Sequence, residues 1–228
     1  MIRLFDLLFS ILGLLLLWPL FLLIYLLVVV ESKGGGFYIQ NRVGKDNKDF
    51  KLLKFRSMRM GSDRKGLITI GKRDSRMTLM GLFIRRFKLD ELPQLFNVLR
   101  GDMSLVGPRP EVRKYVELYN IEQAKVLSVR PGISDYASIE YVDENRLLGA
   151  ATDPEKVYIE EILPHKIELN MKYIENQRLK EYFHIIFLTI WRIVNSSDSR
   201  NVPIDRNVPS QAPFTVGSPD SRDVEILH

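Results

Sequence analysis

The chain has 228 residues, no cysteine and a formal net charge of +5, a length that fits one ordinary domain with an anchor and a tail. Without cysteine there is no disulfide, no thiolate metal site and no thiol nucleophile. The charge is uneven, because residues 32–130 hold 22 Lys and Arg against 10 Asp and Glu. Such a basic block suits anionic headgroups or phosphate-bearing substrates, and no nucleic-acid-binding motif accompanies it, which argues against nucleic acid as a partner.

Residues 7–30 carry no charge and are bounded by Asp6 and Glu31. As one helix they would extend about 36 Å, enough to cross a hydrocarbon core of about 30 Å. The run is too long for a cleaved signal peptide and ends on Val28, Val29, Val30 and Glu31, without the small residues that cleavage needs. Pro19 sits mid-run, where it either kinks a spanning helix or turns a helix–break–helix hairpin back to its own side. Lys33, Arg42, Lys45, Lys48 and Lys51 follow the run, so the positive-inside tendency puts the main domain in the cytoplasm under either topology.

After the flexible joint Gly34, Gly35 and Gly36, residues 37–43 and 50–55 read as two strands of a hairpin around a polar turn. Residues 61–74 read as a mobile loop, and 75–99 as two helical pieces, the second beginning near Asp90. Residues 101–111 form a loop punctuated by Gly107, Pro108 and Pro110. Helices are expected at 112–119 and 121–129, then a strand-like or irregular stretch at 134–141. Asp153 and Pro154 open a helix running to about 176, with a bend at Pro164. Residues 182–194 are too few to span a membrane. With His184, Thr189 and Arg192 on one arc, they form either a core helix or, as favoured here, a membrane-surface helix. The composition from 196 to 228 predicts a disordered tail.

The segment LDELPQLFNV at 89–98 carries the chemistry. Leu92, Leu95, Phe96 and Leu99 share a helical face, and Pro93 fits only near a helix start. Asp90 would then be at or near the cap, with Glu91 beside it. A capping acid that complements the helix dipole explains this as well as catalysis does. Arg85, Arg86 and Lys88 upstream and Arg109 between Pro108 and Pro110 shift the balance toward a phosphate site. There one carboxylate acts as nucleophile or metal ligand and the other handles a proton or positions groups. Hard oxygen ligands beside phosphate point to Mg2+. No histidine cluster, Walker motif or dinucleotide fingerprint is present.

The apolar head followed by QNRVG at 40–44, KFRSM at 54–58, LDELPQLFNV at 89–98, GDMSLVGPRPE at 101–111 and RPGIS at 130–134 resembles the bacterial sugar transferase family. The resemblance is to the minimal form of these monotopic phosphoglycosyl transferases. It implies transfer of a sugar phosphate from a UDP-sugar to polyprenyl phosphate with release of UMP, as the first membrane step of surface-glycan synthesis. Asp90 would be the nucleophile and a Mg2+ ligand, and Glu91 its assistant. Arg85 and Arg109 would contact phosphate, with Lys54, Arg56 and Arg130 as further substrate contacts. Where many members have a Gly-Trp-Ala-Gln-type stretch, this chain has SDYASIEY at 134–141, a segment expected to influence sugar selection. Rival readings are an idle scaffold of a glycan-assembly complex and a glycosyltransferase releasing UDP.

The expected fold is α+β. The resemblance implies that residues 1–31 form a re-entrant membrane helix broken at Pro19, and 32–195 are expected to form a mostly helical cytoplasmic catalytic domain with a short β-hairpin and a membrane-surface amphipathic helix. Residues 196–228 form the tail. The resemblance places the chain on the cytoplasmic face of the bacterial membrane among membrane lipids, and allows a homo-oligomer.

Overall fold

A computed structural model of the chain describes residues 1–62, 66, 68–69 and 74–195. The loop expected at 61–74 thus lies partly, and the tail at 196–228 wholly, outside the described residues. The apolar head forms α1 (Ile2–Glu31), 30 residues and about 45 Å long at helical rise. By length and composition it could cross a membrane. It runs unbroken through Pro19, unlike the expected helix–break–helix, because the proline ring removes one backbone donor while the turns on either side remain bonded.

Both ends of α1 are fastened to the same domain. Near the first turn, Arg3 donates to Val98 O at 2.6 Å and Leu99 O at 3.1 Å. One turn on, the buried Asp6 carboxylate accepts from Ser104 Oγ at 2.9 Å, Leu105 N at 3.0 Å and Tyr182 OH at 2.9 Å. At the far end, Glu31 accepts from the backbone of Leu79 at 2.6 Å and Met80 at 2.8 Å. Between these points Ile24 and Val28 pack with Phe55 and Ile84.

The hairpin is present. Strand β1 (Phe37–Val43) pairs antiparallel with β2 (Asp49–Phe55), Tyr38 opposite Lys54 and Arg42 opposite Phe50. Asp46 and Asn47 turn the chain with φ of 56° and 60°, a region that short side chains able to bond locally tolerate. The two expected helical pieces are α2 (Leu79–Arg86), capped by Thr78, and α3 (Gln94–Arg100). The fully buried Asn97 of α3 accepts from Leu53 N at 3.0 Å and donates to Lys51 O at 2.8 Å. This side chain pins α3 to β2 and carries Lys54 toward the segment preceding α3.

The stretch read as a plain loop contains β3 (Ser104–Val106), which pairs in parallel with β4 (Gly132–Ser134). Two glycines permit this. A Cβ on Gly107 would lie 2.4 Å from Arg130 O, and one on Gly132 would lie 2.1 Å from Gly107 N. The backbones touch where any side chain would separate them. The helices expected at 112–119 and 121–129 shrink to α4 (Arg113–Val116) and a 3-10 stretch over Gln123–Ser128.

The stretch expected to be strand-like or irregular at 134–141 is strand only at Ser134, the end of β4. The rest contains α5 (Tyr136–Glu140), started by Asp135, which accepts from Ser138 N. There follow α6 (Glu144–Ala150) and α7 (Pro154–Val157), the latter capped by Asp153. A π turn over Tyr158–Ile162 leads into α8 (Leu163–Glu175), with Pro164 in its first turn. Val112, Tyr115, Leu148, Tyr158, Ile162 and Ile167 form the core beneath these elements.

The last helix, α9 (Leu179–Asn195), packs one face into the core, the first of the two alternatives expected for it. Tyr182 and Ile185 are fully buried, and Thr189 is bonded to Ser134. The opposite face exposes Phe183, Phe187, Ile190 and Trp191. Part of the polar arc therefore faces the protein, and Phe183, Phe187 and Trp191 face outward while Tyr182 faces the core.

Candidate active site

Asp90 and Glu91 lie in a short 3-10 turn over Leu89–Glu91 that precedes α3. The capping explanation does not hold for them, since neither side chain caps this turn and α3, with Pro93 at its N-cap, has no side-chain cap. Lys88 enters the turn with φ 56°, an uncommon conformation for a residue with a Cβ. It costs on the order of 1 kcal/mol and redirects the chain so that both carboxylates point inward. Asp90 is 7% and Glu91 9% exposed.

Once buried, the two acids part ways. Arg109 grips Glu91 at two points, Nη1 donating to Oε2 at 3.2 Å and Nη2 to Oε1. Lys54 Nζ lies 3.7 Å from the same Oε1. Asp90 accepts no hydrogen bond from a described residue, and its charged neighbours are Glu91, Lys54, Arg85 and Lys88. Burial pushes the Asp90 carboxyl above its ordinary range, Glu91 adds to that push, and Lys54, Arg85 and Lys88 oppose it. Burial would raise Glu91 as well, but Arg109 and Lys54 outweigh it and hold that carboxyl well below the usual range. Burial lowers the Lys54 ammonium to about 8 against the pull of Glu91. Glu91 in turn raises Arg109, which stays a cation. The dyad is one committed anion beside one carboxyl whose ionisation is opposed by burial and by its neighbour.

The loop carrying Arg109 is clamped from both sides. Asp135 accepts from Arg109 N at 2.8 Å, and Arg42 donates to Pro110 O at 2.9 Å and to Glu111 at 3.4 Å. Glu111 also accepts from Tyr158 OH at 2.6 Å and lies 3.8 Å from Lys166. Sequence reasoning missed Asp135, Arg42 and Glu111. The signal for Asp135 was a helix cap with Ser138 three residues on, and for the other two it was membership of the QNRVG and PRPE motifs.

Of the residues expected at the site, Lys54, Asp90, Glu91 and Arg109 come together, and Arg85 acts on Asp90 while donating to Thr69 at 3.1 Å. Arg56 instead donates to the carbonyls of Gly34, Gly35 and Phe37. Arg130 donates to Gly101 O at 2.9 Å, at the end of α3 remote from the dyad in sequence. Among the described residues no three His, Cys, Asp or Glu side chains gather as a metal cage. A donor set with one free carboxylate suits a hard divalent cation whose shell is completed by phosphate oxygens and water.

A family profile described as bacterial sugar transferase matches residues 1–196. The chain belongs to the bacterial sugar transferase family. Among its relatives in that family, the UDP-N-acetylgalactosamine-undecaprenyl-phosphate N-acetylgalactosaminephosphotransferase of Aeromonas hydrophila is 39% identical over 86% of this chain. The UDP-glucose:undecaprenyl-phosphate glucose-1-phosphate transferase of Klebsiella pneumoniae is 38% identical over 86% of this chain. The exopolysaccharide production protein ExoY of Sinorhizobium fredii is 42% identical over 58% of this chain and 65% of its own length. The chain spans 44% and 40% of the lengths of the first two relatives. The first two relatives differ in their named sugars, so family membership alone does not choose one.

Proposed function

We propose that the chain is a phosphoglycosyl transferase that moves a sugar 1-phosphate from a UDP-sugar to polyprenyl (undecaprenyl) phosphate and releases UMP. The observation that carries this reading is the division of labour in the dyad, with Glu91 held by Arg109 and Asp90 left free beside Lys54 and Arg85. The family and the names of its relatives supply the substrate class.

In the first step an Asp90 carboxylate oxygen bonds to the phosphorus that bears the sugar. The bond from that phosphorus to the bridging oxygen breaks, and UMP leaves with the electron pair. In the second step an oxygen of the lipid phosphate attacks the same phosphorus, and Asp90 departs as carboxylate, leaving polyprenyl diphosphate-sugar. Lys54 and Arg109 meet the non-bridging oxygens, and Arg85 the charge on the departing nucleotide. Glu91 keeps Arg109 aimed and assists proton handling when the lipid phosphate enters. Asp90, with the substrate diphosphate, would hold Mg2+, which supplies charge neutralisation on the phosphates when bound.

The anchor suits a lipid acceptor. Arg3 and Asp6 at one end of α1 and Glu31 at the other bond to the same domain. This suits a helix that enters and leaves the bilayer on one side, the cytoplasmic face that the flanking lysines favour, which α1, unbroken at Pro19, would do by bending within the bilayer. The exposed aromatic face of α9 would lie on the same surface, and the segment 134–141 next to the Arg109 loop would influence the sugar accepted.

The test is the nucleotide product. Purified chain incubated with polyprenyl phosphate, Mg2+ and a panel of UDP-sugars should release UMP with at least one sugar. Release of UDP would indicate simple glycosyl transfer, and no nucleotide from any sugar would favour an idle scaffold.

A further inference from the structure

The outward face of α2 has no role in the chemistry above, yet it is strongly apolar. Leu79, Phe83 and Phe87 are 81%, 53% and 46% exposed, and their four-residue spacing places them on one side of the helix. The rotation of α2 is fixed by its other side. A Cβ on Gly81 would lie 1.9 Å from Ser57 O, and Ile84 is fully buried against Phe55 and Val28. The three large side chains therefore cannot turn inward.

We propose that this face of α2 is a membrane-docking surface, seated among the headgroups of an anionic bilayer, that sets the depth of the turn carrying Asp90. The proposal rests on the reading of α1 as a membrane anchor. Two observations favour lipid as the occupant over a protein partner. The first is continuity: the carboxylate of Glu31, the last residue of α1, caps α2 by accepting from Leu79 N and Met80 N. The neighbouring Val30 is 87% exposed, so the apolar surface of the anchor runs on toward that of α2.

The second is the residue set itself. The Phe83 and Phe87 rings lie 5.1 Å apart, and the Arg86 guanidinium carbon is 5.7 Å from the Phe87 ring centre. Exposed Arg86 and Lys88 border the stripe. Aromatic bodies with flanking cations partition to the boundary between acyl chains and anionic headgroups. Because Lys88 follows Phe87 directly and opens the Leu89–Glu91 turn, the seat of α2 fixes where Asp90 stands relative to lipid phosphates.

The absence of native cysteine makes the test clean. Single cysteines replacing Phe83, Leu16 on the anchor and Ile121 elsewhere in the domain would carry an environment-sensitive fluorophore. Each protein is then reconstituted in bilayers containing phosphatidylglycerol. The label at position 83 should be quenched by lipids spin-labelled near the headgroup and several-fold less by aqueous iodide than the label at 121. If position 16 is lipid-quenched while 83 is as open to iodide as 121, the docking face is refuted and the anchor stands. If 16 is itself open to iodide, the anchor reading fails and the docking face with it. Protection of 83 from iodide without quenching by lipid would mean that protein covers it, which also overturns the proposal.

Discussion

Arg109 and Glu91 form a two-point guanidinium–carboxylate pair, with Nη1 donating to Oε2 at 3.2 Å and Nη2 to Oε1. The adjacent Asp90 accepts no hydrogen bond from a described residue. Two neighbouring acids in one turn thereby differ, and their separation depends chiefly on an arginine arriving from 18 residues away, with Lys54 adding to it.

Removal of that arginine leaves Glu91 buried with Lys54 as its remaining close cation. Arg109→Ala should cost about 3–5 kcal/mol, the range for breaking a buried pair. Arg109→Lys keeps the charge but loses the fork, so it should retain more stability while still losing most turnover. Thermal midpoints in detergent and UMP release check the two effects separately.

The pH dependence has a definite shape. Asp90 must be ionised to attack, and burial and Glu91 raise it, so the acid limb of kcat/KM should lie above the ordinary aspartate range of about 3.9. The alkaline limb should lie near 8, where Lys54 loses its proton, and Lys54→Arg should remove it. Stability follows the same groups with different signs. Glu91 is depressed, so its contribution is present above its unfolded value and lost as pH falls through the folded one. Asp90 is raised, so between its unfolded and folded values stability falls as pH rises. Lys54 is lowered, so stability rises with pH between about 8 and its unfolded value. An alkaline limb unchanged in Lys54→Arg would contradict the assignment.

Asp135 uses both oxygens, Oδ2 for Arg109 N at 2.8 Å and Oδ1 for Ser138 N. Asparagine has only one acceptor oxygen, so Asp135→Asn leaves one buried N–H facing an NH2 group. A loss of about 1–3 kcal/mol is expected, with turnover falling more than the stability change alone explains, because the Arg109 loop loses one clamp. Denaturant midpoints and kcat/KM measured on the same preparation test this.

Much of this was legible in the chain. The hairpin, α2, α3 and α8 follow from periodicity and turn chemistry, and the dyad stood out because Pro93 and the flanking arginines narrowed its context. The β3–β4 pair was not legible, since strands of three residues carry no period and their contact depends on Gly107 meeting Gly132 across 25 residues of chain. The helix at 136–140 was hidden because aromatic and β-branched residues read as strand, while one cap, Asp135, decided the outcome. Arg56 and Arg130 have the chemistry of phosphate ligands. Only geometry reveals that each also donates to a backbone carbonyl, Arg56 to Gly34 O and Arg130 to Gly101 O.

The attachment of both ends of α1 to one domain predicts a topology. Leu4 is 68% exposed, so a cysteine there should react with a membrane-impermeant thiol reagent only from the cytoplasmic side in oriented vesicles. Reaction from the outside would refute re-entrance.

The central claim is that Asp90 carries the phosphosugar between donor and acceptor. Its most direct test is mass spectrometry of the chain quenched after mixing with an accepted UDP-sugar in the absence of lipid phosphate. The peptide containing Asp90 should gain the mass of one sugar phosphate, and Asp90→Asn should abolish both that gain and UMP release. An unmodified peptide from a preparation that turns over once lipid phosphate is added, or near-full turnover by Asp90→Asn, would contradict the account.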